Sequence, residues 1–228
     1  MIISVSRRTD IPAFYAEWFY NRLRAGYVLV RNPMNVYSVS KVALSPEVVD
    51  AFVFWTKNPL PLMKGLDELA EYPYYFQFTL TGYGKDIEPG LPDKKQALLL
   101  AFKELATKTG RQRVIWRYDP IFFSSRYSAE YHLECFEALA AELSGNTERC
   151  VISFMDEYRN TKRNAQKLGA VNYSSEEIYA FAARLAKIAD KYGLKLQTCA
   201  ETADFTELGI TASACIDTVS YTHLTLPT

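Results

Sequence analysis

The sequence predicts an α/β fold, a (β/α)8 TIM-like barrel that is either complete or open at its C-terminal end. Short apolar runs rich in β-branched and aromatic residues alternate along the chain with amphipathic segments. Most of these runs are continuously apolar, which is typical of parallel strands buried on both faces. The 228 residues are also enough for seven or eight βα units in one domain. An open doubly wound sheet is the alternative architecture.

Each predicted strand is bounded by turn residues or by a charged residue. In chain order, the predicted strands are Ile2–Ser6, Tyr27–Arg31, Ala51–Thr56, Tyr74–Leu80, Arg113–Tyr118, Arg149–Phe154 and Lys195–Cys199. Ala214–Asp217 is a weaker eighth candidate. Residues 36–42 alternate in polarity, which predicts a small hairpin or an edge strand outside the repeat.

Two of the predicted helices begin at capping residues, Ser45 and Ser174, and several end at glycines. They are Pro12–Ala25, Ser45–Asp50, Pro61–Glu71, Asp93–Thr109, Ser128–Ser144, a helix from the Ser174 capping box to Gly193, and a short turn at Thr202–Leu208. Helices alternating with strands predict right-handed crossovers between parallel strands.

The domain organisation is predicted to be one barrel domain over residues 1–217, followed by a non-native tail at 218–228. The last ten residues read VSYTHLTLPT, with no helical period and an abrupt change of character. This segment resembles the conceptual translation of a sequencing adapter, and such segments are left out of fold reasoning. We therefore expect a C-terminal part of the natural protein to lie beyond the native residues given.

Composition excludes several classes of protein. Lys and Arg total 26 and Asp and Glu total 26, so zero net charge argues against a broad nucleic-acid or membrane footprint. The chain has no apolar run long enough to span a membrane and no signal-peptide pattern, so we expect a cytoplasmic protein. The four cysteines are widely spaced, which supports neither a zinc ribbon nor a disulfide framework.

Charged and polar residues follow nearly every predicted strand, where barrel enzymes place their active sites. The candidate catalytic residues are Asp10, Asp119, Asp156 and Glu201. The candidate binding residues are Arg7, Arg8, Arg31, Asn32, Trp55, Lys57, Asn58, Gln77, Arg117 and Gln197. We expect these groups to converge on one rim and to bind an anionic or zwitterionic small molecule, with arginines clamping carboxylate or phosphate. His132 and Cys199 are interpreted as packing residues, and no metal ligand is assigned.

Several of these strand ends carry motifs that resemble the family called domain of unknown function 1848. The motifs are SVSRRTDIPAFY (4–15), VLVRNP (28–33), FWTKNP (54–59), FQFTLTGYG (76–84), VIWRYDPI (114–121), CVISFMDEY (150–158) and CAE (199–201). The resemblance implies kinship to spore photoproduct lyase-like barrels. It also implies a C-terminal cysteine cluster similar to that of radical S-adenosylmethionine (SAM) enzymes, so a [4Fe–4S] cluster and SAM are expected in the full-length protein.

This chain departs from the family pattern because that cysteine cluster is absent. None of Cys135, Cys150, Cys199 and Cys215 has the spacing of cluster ligands, so none is assigned to iron and no cofactor is expected in this fragment. The first hypothesis is therefore the substrate- and SAM-binding barrel of a radical-SAM-like enzyme, inactive in this form. One alternative is an iron-free barrel enzyme acting on a phosphorylated or carboxylated small molecule. Another is a nucleic-acid-binding module.

Overall fold

The computed structural model describes residues 1–6, 8–155, 167–199, 201, 203–214 and 216. These residues fall into two compact units, which we call the first unit (Met1–Phe78) and the second unit (Thr79–Asp217). Whether the chain folds as the one domain that the sequence predicts stays a prediction.

The first unit contains a parallel sheet and an antiparallel hairpin. Its elements are β1 (Ile2–Ser4), α1 (Ile11–Phe14), α2 (Ala16–Ala25), β2 (Tyr27–Arg31), β3 (Val39–Ala43), β4 (Ala51–Thr56), α3 (Leu60–Met63), a 3₁₀ turn (Leu66–Leu69) and β5 (Tyr74–Thr79). Strands β1, β4 and β5 pair in parallel in the order β1-β4-β5. The apolar face of α2 packs on this sheet, with the ring of Phe19 5.5 Å from that of Phe52 and 5.4 Å from that of Phe54.

The second unit contains four parallel strands and the longest helices. Its elements are a π-helical turn (Lys94–Leu98), α4 (Leu99–Thr109), a 3₁₀ turn (Arg111–Arg113), β6 (Val114–Ile121), β7 (Phe123–Ser124), α5 (Ala129–Leu143), β8 (Arg149–Phe154), β9 (Ala170–Val171), α6 (Ser175–Lys191), β10 (Lys195–Cys199), a 3₁₀ turn (Thr206–Leu208) and β11 (Thr211–Ser213). The parallel order is β6-β8-β10-β11, and β7 pairs with β9 in an antiparallel bridge.

Local sequence signals account for where the longer helices begin and end. The Ser174 hydroxyl accepts a hydrogen bond from the Glu177 amide while the Glu177 carboxylate accepts one from the Ser174 amide, which completes the predicted capping box. Ser128 caps α5 through the Tyr131 amide. Gly26 ends α2 in the left-handed conformation, with φ of 73°, which costs glycine nothing.

The α/β class is confirmed, with seven parallel strands among the described residues, whereas a complete (β/α)8 barrel is not. The run Tyr27–Arg31 does form a strand, but the prediction that it belongs to the barrel is wrong. It pairs antiparallel with β3 in a separate two-stranded sheet, from Tyr27 opposite Ala43 to Arg31 opposite Val39. The strand that pairs with β10 is Thr211–Ser213, and the eighth-strand candidate Ala214–Asp217 lies partly outside the described residues.

Four helix predictions differ from the structure. The helix predicted over Pro12–Ala25 is divided into α1 and α2 at Tyr15. Residues 46–48 form a turn rather than the helix predicted over Ser45–Asp50, because a six-residue segment containing Val48 and Val49 gains too few helical hydrogen bonds. The helix predicted over 61–71 is divided into α3 and a 3₁₀ turn at Gly65, and the last predicted helix is a single 3₁₀ turn. In the described part of the chain, no helix combines the length and apolar character needed to cross a bilayer.

Candidate functional site at the strand ends

In the first unit, Asp10 joins the start of α1 to the end of β4. Its Oδ1 accepts a hydrogen bond from the Ala13 amide at 3.0 Å. Its Oδ2 accepts one from the Thr56 hydroxyl at 3.0 Å and one from the Lys57 amide at 2.8 Å. Burial raises the pKa of Asp10 above its ordinary 3.8, although these three donors oppose the shift. The carboxylate therefore fixes the backbone at the candidate residue Lys57.

Three further candidate residues of the first unit lie on β4, on β5 or just after β4. The Asn58 amide donates to the Thr56 hydroxyl at 2.9 Å, so Asn58 shares the hydrogen-bond network of Asp10. Trp55 on β4 and Gln77 on β5 are register partners and point to the same face. Gln77 is buried, whereas Trp55 is half-buried.

Arg8, Arg31 and Asn32 lie on the hairpin side of the first unit. The Arg8 guanidinium donates to the Arg31 main-chain oxygen at 2.8 Å, and the Asn32 side chain accepts from the Met34 amide at 2.8 Å. Arg31 belongs to the antiparallel hairpin, so the expectation that it follows a barrel strand is wrong. Arg7 lies outside the described residues.

In the second unit, Arg117 and Asp119 form a buried ion pair at the end of β6. The Arg117 Nε lies 3.1 Å from Asp119 Oδ1 and 3.0 Å from Oδ2, and Nη2 also donates to Oδ2. Burial alone would lower the pKa of Arg117, but the Asp119 carboxylate and the Cys199 thiol outweigh it and raise that pKa. Asp119 thus accepts hydrogen bonds from guanidinium N–H groups that were expected to bind a ligand.

Gln197 and Cys199 lie on the same face of the sheet as this ion pair. Arg117 is in register with Val151 on β8, and Val151 is in register with Gln197 on β10. The Gln197 amide nitrogen donates to the Thr211 hydroxyl at 3.3 Å. Its oxygen Oε1 is buried and has no hydrogen-bond partner among the described residues. Buried polar atoms of this kind are rare, and each one calls for an explanation.

The two remaining carboxylates follow β8 and β10. Glu201 Oε1 accepts a hydrogen bond from the Phe154 amide at 2.7 Å, which places this carboxylate at the end of β8. Asp156 falls in the segment 156–166, outside the described residues. The second unit therefore brings Arg117, Asp119 and Gln197 onto one face.

His132 is a packing residue, as its place in a helix suggests. It is fully buried, and its Nε2 lies 3.0 Å from the Phe122 carbonyl oxygen. That carbonyl requires a proton on Nε2, so Nδ1 accepts from the Tyr118 hydroxyl at 2.9 Å. Burial lowers the pKa of His132, which keeps the ring neutral.

The described residues do not fit an iron–sulfur cluster. Cys150 is in register with Trp116 and Leu196, so it lies on the opposite face of the sheet from Cys199, while Cys135 lies on α5. Among the residues with described positions, no three His, Cys, Asp or Glu side chains come together as a metal site. Cys215 lies outside those positions.

Sequence reasoning missed two contributors to these sites. Thr56 links Asp10 to Asn58, and a hydroxyl at the last residue of an apolar strand is the signal that marks it. Cys199 touches the Arg117 guanidinium, although the sequence suggested only packing for that thiol. The i, i+2 spacing of Arg117 and Asp119 already predicts a shared face on a strand.

The family model for the domain of unknown function DUF1848 matches residues 2–226, nearly the whole chain. The chain belongs to the DUF1848 family. The matched range ends inside the segment 218–228, so the foreign origin of that tail stays a prediction.

Other comparisons add little for this DUF1848 protein. No curated protein matches it. A crystal structure of a triazine hydrolase variant is similar at a TM-score of 0.39 and 11% sequence identity. The match covers 74% of this chain and 39% of the hydrolase chain, and a likeness this distant carries no functional argument.

Proposed function

We propose that this DUF1848 protein is an enzyme whose second unit binds a zwitterionic small molecule at the carboxyl ends of β6, β8 and β10. The observation that carries the proposal is the buried Gln197 Oε1, which has no partner among the described residues. A ligand N–H or O–H group would supply the missing hydrogen bond. The carboxyl ends of parallel strands are also where α/β enzymes place their ligands.

The charges on this face favour a zwitterion over a simple anion. Asp119 compensates Arg117 directly, and Glu201 adds a further carboxylate beyond β8. A purely anionic ligand would meet net negative charge among these three groups. A ligand ammonium, in contrast, is attracted by the carboxylates and can donate a hydrogen bond to Gln197 Oε1.

The distance across the face suits a small molecule. Arg117 and Gln197 are separated by the one strand β8, so their backbones are about 10 Å apart at the usual strand spacing. In this proposal Asp119 and Glu201 are the acid–base groups of the second unit.

SAM is a member of this ligand class because it carries an amino-acid zwitterion. SAM binding is proposed here for the chain itself. Radical chemistry through a [4Fe–4S] cluster, which the family resemblance implies, is supported by no residue that the structure describes. Reconstitution with iron and sulfide under anaerobic conditions should leave this chain colourless, and a bound cluster would contradict this expectation, which rests on the described residues alone.

Calorimetric titration with SAM and with L-methionine tests the binding proposal. Gln197→Leu should weaken binding about tenfold or more, because the ligand donor then faces an apolar side chain. The variant should remain about as stable as the natural protein, since removal of the unpaired buried oxygen offsets the loss of the hydrogen bond to Thr211. Gln112→Leu, at an exposed position of the same unit, is the matched control and should bind normally.

Two results would overturn the proposal. One is equal affinity for the natural protein and the folded Gln197→Leu variant. The other is equal affinity for L-methionine and for its deaminated analogue, since the proposed ammonium would then contribute nothing.

A further inference from the structure

A cavity of about 430 Å³ lies in the first unit, and none of its lining residues belongs to the ligand-binding residues of the proposed function. It is lined by residues of α2, β1 and β2, and its base includes Ile3, Phe19, Leu44 and Phe52. This volume falls in the range of small-ligand pockets, roughly 300–1,000 Å³. The apolar side chains at the base can contact the apolar part of a small ligand.

Three arginines line the cavity, and no acidic residue is among its described lining residues. Arg8 is held in place because its Nη2 donates to the Arg31 main-chain oxygen at 2.8 Å. In the described part of the chain, neither Arg22 nor Arg31 forms an ion pair with a carboxylate. By contrast, Arg24 on the same helix pairs with Glu68 and does not line the cavity. Uncompensated cations around an apolar base attract an anion.

Trp18 supplies a flat wall beside one of these cations. It lies four residues before Arg22 on α2, so both side chains occupy one face of the helix. The Trp18 side chain lines the cavity and remains 45% exposed, although α2 turns its other large apolar residues inward. An exposed indole next to a guanidinium is a surface on which an aromatic or aliphatic body can stack.

We infer that this cavity is a second ligand site, which binds a small organic anion: a carboxylate or phosphate attached to an apolar body. The anionic group is held by Arg8, Arg22 and Arg31 at the rim, and the body lies against Trp18 and the base. The site is independent of the proposed function, because all its lining residues belong to the first unit.

Fluorescent probes that differ only in charge test this site. Anilinonaphthalene sulfonate combines an anion with an aromatic body, and phenylnaphthylamine has the same body without the charge. We expect the natural protein to bind the sulfonate more tightly. Arg22→Gln with Arg31→Gln should weaken sulfonate binding about tenfold or more and leave binding of the neutral probe nearly unchanged. Arg24→Gln is the matched control and should not alter either affinity.

A second pair of variants tests the site without removing an arginine. Leu29 lines the cavity and is 58% exposed, so polar substitutions there are compatible with folding. Leu29→Glu should weaken sulfonate binding relative to Leu29→Gln through charge repulsion alone. Circular dichroism of each variant confirms that its fold is intact.

Competition separates the two sources of the anion. Displacement of the probe by octanoate supports a carboxylate ligand, and displacement by phenyl phosphate supports a phosphate ligand. The inference is overturned if neither displaces it, or if the arginine variant and Arg24→Gln bind the sulfonate equally. Because Gln197 variants are not involved, failure here leaves the proposed function unaffected.

Discussion

At the scale of single residues, the Arg117–Asp119 pair shows how a buried charge is tolerated. The two side chains are only 5% and 12% exposed. Removing either charge from water is costly, and the cost is offset only because several hydrogen bonds join the guanidinium to the carboxylate. The pair is therefore sensitive to the loss of one partner and tolerant of the loss of both.

We expect Asp119→Asn to lower the free energy of unfolding by about 3–5 kcal/mol, because it leaves a buried guanidinium uncompensated. Arg117→Met combined with Asp119→Leu should restore most of that loss. Urea denaturation measures both effects. Glu68→Gln breaks the exposed pair with Arg24 and serves as a control with a much smaller effect. If the single and double variants were equally unstable, uncompensated charge would not be the cause.

At the scale of elements, α5 carries a buried imidazole that links it to the end of β6. His132 is hydrogen-bonded to the Tyr118 hydroxyl and to the Phe122 carbonyl oxygen, and its ring is neutral. Protonation would place a charge in a buried site and would remove the acceptor that Tyr118 uses. The packing of this helix therefore depends on pH.

The lowered pKa of His132 fixes the sign of that dependence. Its contribution to stability is fully present above the unfolded-state pKa of 6.5 and is lost as the pH falls through the lower folded-state pKa. Denaturation of the natural protein and of His132→Gln at a series of pH values measures the difference. The stability advantage of the natural protein should shrink below pH 6.5, and a constant difference would show that His132 does not titrate in this range.

Helix ends could be predicted from sequence because their signals are local. Ser174 with Glu177, Ser128 and Gly26 act on amides within a few residues, so spacing alone identified the caps. The parallel strands were also recognisable, since burial on both faces leaves a continuous apolar run.

Pairing partners could not be predicted in the same way. The run Tyr27–Arg31 resembles a barrel strand in sequence, because an apolar run does not show which strand will pair with it. Likewise, nothing in the sequence shows that Gln197 Oε1 has no partner among the described residues, or that Asp119 occupies the Arg117 fork. These facts depend on neighbours far away along the chain.

At the scale of the whole molecule, the described residues of the two compact units adjoin at one point along the chain. The boundary between Phe78 and Thr79 falls inside β5, which spans Tyr74–Thr79. Domain boundaries usually fall in exposed linkers instead. A boundary inside a strand favours the single domain that the sequence predicts.

We therefore expect one cooperative unfolding transition. Trp18 and Trp55 report on the first unit, and Trp116 reports on the second. Fluorescence of Trp116→Phe follows only the first pair, and far-ultraviolet circular dichroism follows all the helices. Coincident midpoints from the two signals would confirm one domain. Separate midpoints would show that the units unfold independently.

The carboxylate of Asp10 holds two main-chain protons at once, that of Ala13 at the first helix and that of Lys57 just after β4. Solvent exchange at these two amides is thus governed by one ionisable side chain. Acidification that neutralises Asp10 should release both protons to deuterium together. The signals of two amides that are distant in sequence would then report the protonation state of one half-buried carboxylate.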